Sequence, residues 1–143
     1  VPQTNYVANS KFNYPAQTTS FNGREIFSWK ISGGEIKENQ LVLKDGRAEQ
    51  TIYAQYANFQ FNLLLVGKTK GKVRVYFQFL TGEANKLDPE LEVVGQSNVL
   101  EMDSSENTLQ GVLKIDHQET EHVKLVIESD GESVIDEVNL TLC

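Results

Sequence analysis

From Lys72 to Leu80 the chain reads KVRVYFQFL, so that Val73, Val75, Phe77 and Phe79 fall on one side of an extended strand and Lys72, Arg74, Tyr76 and Gln78 on the other. The same alternation runs through NFQFNLLLV, where Phe59, Phe61, Leu63 and Leu65 are the apolar set and Asn58, Gln60 and Asn62 the polar one. In EQTIYAQYA one phase is Gln50, Ile52, Ala54 and Tyr56, and the other is Glu49, Thr51, Tyr53 and Gln55. Helical periodicity is almost absent. The pattern predicts strands over 25–31, 40–43, 48–56, 59–66, 72–80, 90–94, 99–102, 111–116, 122–128 and 133–142. Turn residues punctuate them at Lys44-Asp45-Gly46-Arg47, at Gly67 to Gly71 and at Ser129-Asp130-Gly131-Glu132, and these are expected to be hairpins. Residues 81–89 and 103–109 are longer, polar segments expected to form rim loops.

A single open sheet of roughly ten such strands would leave an apolar face in water, so the chain is expected to fold as two stacked antiparallel sheets, a β-sandwich of jelly-roll type. Its 143 residues match one domain, 1–143, large enough to bury roughly 68–70% of the unfolded surface without a metal or disulfide staple.

The polar phases carry the candidate chemistry. Amides, an arginine and tyrosines are what a saccharide surface requires, because hydroxyls pair with fixed donors and acceptors while the C–H face of a pyranose stacks on a ring. Tyr53, Gln55, Gln60, Asn62, Arg74, Tyr76 and Gln78 form that set, with lysine and glutamate read as scarce among them. Tyrosine is also an ordinary strand former and outward amides also form cross-strand ladders, so a purely structural role stays open. Trp29, the only tryptophan, shares a phase with Phe27 and Ile31 and either anchors the core or stacks a sugar. Phe12, Tyr14 and Phe21 are expected to pack under a loop.

Charge narrows the partners. With 20 acidic and 13 basic side chains the formal net charge is −7, which disfavours nucleic acid and anionic membrane surfaces. No apolar run approaches the roughly 20 residues of a spanning helix. The chain starts at Val1, as expected of a processed chain or a piece of a longer one, and its only cysteine, Cys143, is the last residue. Catalytic signatures are missing: there is no nucleophile elbow, phosphate loop or dinucleotide fingerprint. His117 and His122 are five apart, a spacing that does not put both on one face, and are expected in loops or on the surface. The acidic pairs Asp103/Glu106, Asp130/Glu132 and Asp136/Glu137 are read as solvated, and the sequon at Asn139 falls within a strand.

Three short stretches occur in an order that resembles carbohydrate-binding modules with the galactose-binding-like jelly-roll fold. NYVANSKF, Asn5 to Phe12, is similar to their Asn-x-x-x-Asn-Gly-x-Phe opening, with Ser10 in place of glycine; SWKISGG resembles their tryptophan strand, and VIDEVNL their closing Ile-Asp-Asp-Val-x-Leu strand. The resemblance implies non-catalytic glycan binding, on the concave sheet face or in the loops at one end, with no required cofactor. It also implies a structural calcium where the first segment meets the last strand, involving Asn9 and Asp136, although Ser10 and Glu137 depart from the pattern. Such modules occur on secreted glycoside hydrolases and in baseplate or tail proteins of phages of Gram-positive bacteria. The lack of a tryptophan-rich face and of a disulfide, with an end resembling a natural C-terminus, favours the phage setting. The expected partners are then a cell-wall polysaccharide and other subunits of a larger assembly, in an extracellular or virion location. A protein-contact domain is the alternative, and a hydrolase a more distant one.

Overall fold

The computed structural model describes residues 4–19, 25–52, 58–82 and 91–143. Among these there are eleven strands and no helix: β1 (Gln17–Thr19), β2 (Glu25–Phe27), β3 (Lys30–Lys37), β4 (Gln40–Ile52), β5 (Gln60–Thr69), β6 (Lys72–Thr81), β7 (Glu92–Gln96), β8 (Leu100–Asp103), β9 (Thr108–Lys114), β10 (His122–Asp130) and β11 (Glu132–Leu142). All pairings are antiparallel, as the alternation required.

Nine strands form one hydrogen-bonded ribbon that wraps on itself because β4 belongs to both sides. Its first half, Leu41 to Lys44, pairs with β11; its second half, Arg47 to Ile52, pairs with β10. β3 follows it across the same bend. One wall is therefore β7 and β8, β6, β10 and the second half of β4; the other is the first half of β4, β11, β5 and β9. The two walls meet through side chains. Phe61 of β5 touches Phe77 of β6 edge to face at 5.7 Å between ring centres, and Leu41, Leu43, Leu63, Leu65, Val73, Val75, Leu125, Ile127, Ile135, Val138 and Leu140 are fully buried around them. Burying each such side chain contributes roughly 1.5–3 kcal/mol, so this shared interior is what holds the walls together.

The three expected hairpins are not hairpins. At Lys44-Asp45-Gly46-Arg47 the chain bends within the continuous strand β4. At 67–71 and 129–132 it passes from one wall to the other: β5 pairs with β11 and β9, β6 with β10, β7 and β8. Gly, Asp and Ser serve an arch between sheets as well as a hairpin, so turn chemistry alone does not separate the two. A two-residue hairpin is present instead at Glu38-Asn39, both at positive φ (53° and 60°), between β3 and β4. The arches are pinned by buried hydroxyls: Ser133 Oγ donates to Thr69 Oγ1 at 2.8 Å and lies 2.6 Å from Ser129 Oγ.

Residues 5–10 lie beside β11, where Tyr6 N–H donates to the Leu140 carbonyl and Val138 N–H to that of Ser10. Gln50, inward on β4, receives Ala8 N–H and donates to the Ala8 and Ser28 carbonyls, which fastens this segment over the end of the core.

The arches impose one strict requirement. A methyl group on Gly71 would lie 2.0 Å from the Asp130 carbonyl oxygen, a backbone atom that cannot rotate away. Gly71→Ala is expected to destabilise the protein by at least roughly 1–3 kcal/mol in urea unfolding, whereas an unchanged midpoint would show that the two arches are not packed as described.

Candidate functional site

The outward face of the wall built on β6, β10 and β4 is organised by register. Glu101, Arg74, Glu128, Arg47 and Ser32 stand in one row across β8, β6, β10, β4 and β3. Tyr76, Val126, Glu49 and Lys30 form the next, and Gln96, Gln78, Lys124 and Thr51 the one after. Opposite charges fall side by side and join. Arg74 donates two hydrogen bonds to Asp130 at 2.7 and 3.0 Å and lies 3.5 Å from Glu128. Arg47 contacts Glu49 at 3.0 Å and Glu128 at 3.7 Å and donates to Gln78 Oε1 at 3.4 Å. Lys124 reaches Glu49 at 3.5 Å. The three cations Arg47, Arg74 and Lys124 thus face the three anions Glu49, Glu128 and Asp130, leaving a lattice with no net charge.

Beneath the charges the face is sunk. Tyr76 is 7% exposed and Val126 fully buried, and the Tyr76 hydroxyl donates to Glu128 at 2.5 Å. Burial, followed by that bond to a carboxylate, pushes the phenol up to about 12. The bidentate bond to Asp130 holds the Arg74 guanidinium above its ordinary range, and the same bond holds the Asp130 carboxyl below its own. At the margin a groove of ≈ 260 Å³ opens between Ser32, Asp45, Arg47, Arg74, Glu128 and Asp130.

The structure divides the sequence-derived set. Arg74, Tyr76 and Gln78 share the lattice face, but Gln60 and Asn62 are on β5, whose inward Phe61 meets Phe77 of β6 across the core. Their side chains therefore point away from the lattice, on the opposite outer surface. Tyr53 and Gln55 lie outside the described residues. Tyr76 does not present a free ring, since it is buried against Val126 and tied to Glu128. The reading that lysine and glutamate are scarce on these faces is also overturned, because Glu49, Lys124 and Glu128 make up much of this one. The phase of β4 and β10 contained that signal: Arg47, Glu49 and Thr51, and Lys124 and Glu128, are half-buried positions set beside buried ones.

Other expectations are resolved around this site. Trp29 is 1% exposed, packs on Phe12 at 5.7 Å and donates its indole N–H to the Asn9 carbonyl, so it is a core residue. Phe12 is buried as expected, Phe21 lies outside the described residues, and Tyr14 is 69% exposed where packing was expected. Phe59, expected inward, is 44% exposed because it precedes β5. His122 is buried rather than superficial, while His117 lies on the ring of Phe79. The donors named for calcium are engaged by neighbouring groups. Asn9 Oδ1 accepts Tyr14 N–H and its Nδ2 donates to the Tyr14 carbonyl; the Asp136 carboxylate accepts Gln40 Nε2. Among the described residues no three carboxylate, histidine or cysteine side chains converge.

No protein-family model and no curated protein sequence matches the chain. Solved structures do. The chain is similar to a CBM4 module (TM-score 0.59, 11% identity, 96% of this chain and 99% of that one). It is similar to a family 29 carbohydrate-binding module in complex with cellulohexaose (TM-score 0.55, 8% identity, 99% and 90%). It is also similar to the enzymatically active domain of bacteriophage CBA120 tailspike protein 4 (TM-score 0.60, 15% identity), covering 97% of this chain and 21% of that one. These likenesses establish the architecture as the jelly-roll β-sandwich of carbohydrate-binding modules.

The Tyr76–Glu128 bond has a pH signature. A phenol whose folded pKa is raised contributes stability that is complete below its unfolded value near 10 and is lost as the pH climbs through about 12. The stability advantage of the wild type over Tyr76→Phe, about 1.5–3 kcal/mol for a hydrogen bond to a charged acceptor, is expected to be constant from pH 7 to 10 in urea unfolding and to shrink above it. A difference that persists unchanged at about pH 11.5, well above the unfolded value, would contradict the assignment.

Proposed function

We propose that this chain is a non-catalytic carbohydrate-binding module that holds a polysaccharide on the lattice face through Arg47, Glu49, Arg74, Gln78, Lys124 and Glu128. The observation that carries the reading is the alternation itself. Guanidinium and ammonium groups only donate, carboxylates only accept, and a sugar hydroxyl does both, so a row of Arg, Glu and Arg offers successive hydroxyls complementary partners. Each member is held by its neighbours on central strands, so little side-chain freedom remains to be lost on binding. Cancelled charge suits a neutral glycan better than a polyanion. Tyr53 and Gln55 continue the phase of Glu49 and Thr51 and belong to the proposal on that ground, whereas Gln60 and Asn62 do not.

The likeness to modules of the CBM4 and family 29 types supports the saccharide reading, and the likeness to a tailspike domain supports a place on a larger extracellular or virion assembly. Repetition on such an assembly would raise a weak single-site affinity by avidity. The non-catalytic reading is supported by the three lattice carboxylates, each engaged by a cation and so not free to form an acid and base pair.

The test is binding to a panel of soluble β-1,4-glucan, β-1,4-galactan and isolated bacterial cell-wall polysaccharide by affinity electrophoresis and calorimetry. Arg47→Ala is expected to weaken binding roughly tenfold or more, as loss of a charge-assisted contact would, and Gln78→Ala roughly 3- to 10-fold, as loss of a neutral one would, with Asn62→Ala on the opposite surface leaving it unchanged. Binding that survives both lattice substitutions, or that falls with Asn62→Ala, would refute the assignment.

A further inference from the structure

The lattice lacks what most sugar surfaces add to hydrogen bonds, an exposed aromatic ring, because Tyr76 is buried. Tyr14 supplies one elsewhere. At 69% exposure it is the most exposed large hydrophobic side chain among the described residues. A single exposed ring is ordinary on a protein surface; the way this one is mounted is not. Asn9 grips the Tyr14 main chain from both sides, its Oδ1 accepting the N–H at 3.1 Å and its Nδ2 donating to the carbonyl at 2.8 Å. The same Nδ2 lies 3.2 Å from Ser28 Oγ, and Ser28 N–H donates to Ala16 at 2.8 Å, so the far side of the loop is fastened as well.

The clamp is itself anchored. Asn9 sits at φ 51°, in the left-handed region that asparagine tolerates, and its carbonyl accepts both the Trp29 indole N–H and Phe12 N–H at 3.2 Å. Trp29 and Phe12 are each 1% exposed. A continuous line of contacts therefore runs from the packed interior through Asn9 to the backbone of an exposed tyrosine.

We propose that Tyr14 is a stacking platform for the apolar face of a pyranose, a binding residue additional to the lattice; the inference rests on the saccharide reading above. A tyrosine ring has only two side-chain torsions, and with its main chain fixed it presents an amphipathic plane at small entropic cost. Its place suits a ligand shared with the lattice. Ser28, the third member of the clamp, is two residues before Lys30, whose cross-strand partner is Glu49. A glycan lying across β4 toward the β3 edge runs toward this loop. The aromatic and hydrogen-bonding parts of the site are then supplied by different segments.

The experiment uses whichever polysaccharide of the panel the wild type binds, titrated against Tyr14→Ala and Tyr14→Phe. The alanine variant is expected to bind roughly 3- to 10-fold more weakly, the range of one aromatic contact, and the phenylalanine variant within about twofold of wild type. Both should keep the wild-type unfolding midpoint, since the ring itself is exposed. Wild-type affinity in Tyr14→Ala would overturn the platform while leaving the lattice reading intact. Wild-type protein that binds nothing in the panel would overturn the saccharide reading, and the platform with it.

Discussion

A side chain on Gly46 would stand 2.4 Å from the Gly33 carbonyl oxygen, so the main chains of β4 and β3 touch where both strands turn from one wall to the other. That contact governs the architecture. Once β4 is divided, β10 and β11 pair with different halves of it, and the chain must cross the edge of the sandwich at Gly131, the single residue between them. The passage from β5 to β6 makes the parallel crossing, and Thr69, Ser129 and Ser133 fill the corner with hydroxyls that satisfy one another out of water. The outer surfaces of the two walls, facing away from each other, are a consequence of this bend.

Which surface can bind follows from what each wall exposes. On the β5 and β11 side, Gln60, Asn62, Leu64 and Val66 alternate without a charge network joining them. On the β6, β10 and β4 side the register sets cations beside anions in successive rows, over a floor made by Tyr76 and Val126. Exposed ion pairs contribute little to stability one by one, ~0–1 kcal/mol. A linked set on rigid central strands has a different value, which is to keep donors and acceptors in place before a ligand arrives. Tyr76, buried and bonded to Glu128, serves that lattice as a support and not as a stacking surface.

Much of the fold was legible because period-two alternation is a local property: Phe61, Leu63 and Leu65 of β5 and Val73, Val75, Phe77 and Phe79 of β6 are inward as the phase assigned. The partition into walls was not. KTKGK and SDGE read the same whether the chain folds back beside itself or arches over to the opposite sheet, and only pairing partners far along the sequence decide between them. That ambiguity is why Gln60 and Asn62 were grouped with Arg74 and Gln78, since β5 and β6 are adjacent in the chain and opposed in space. Tyr76 was misjudged for a related reason, as its burial depends on Val126 and Glu128, some fifty residues later. The same phase argument, carried to Arg47, Lys124 and Glu128, would have set them outward beside Glu49, but charge on an outward face is so common that only the cross-strand register shows these four to be joined.

The account stands on a ligand meeting the β6, β10 and β4 face and not the β5 and β11 face. Its most direct test is a ¹H–¹⁵N titration of the labelled protein with an oligosaccharide of the bound polysaccharide, read residue by residue. Shifts concentrated at Arg47, Glu49, Gln78, Lys124 and Glu128, with Asn62, Leu64 and Asn139 unmoved, are the predicted result. Shifts confined to β5 and β11 would contradict it.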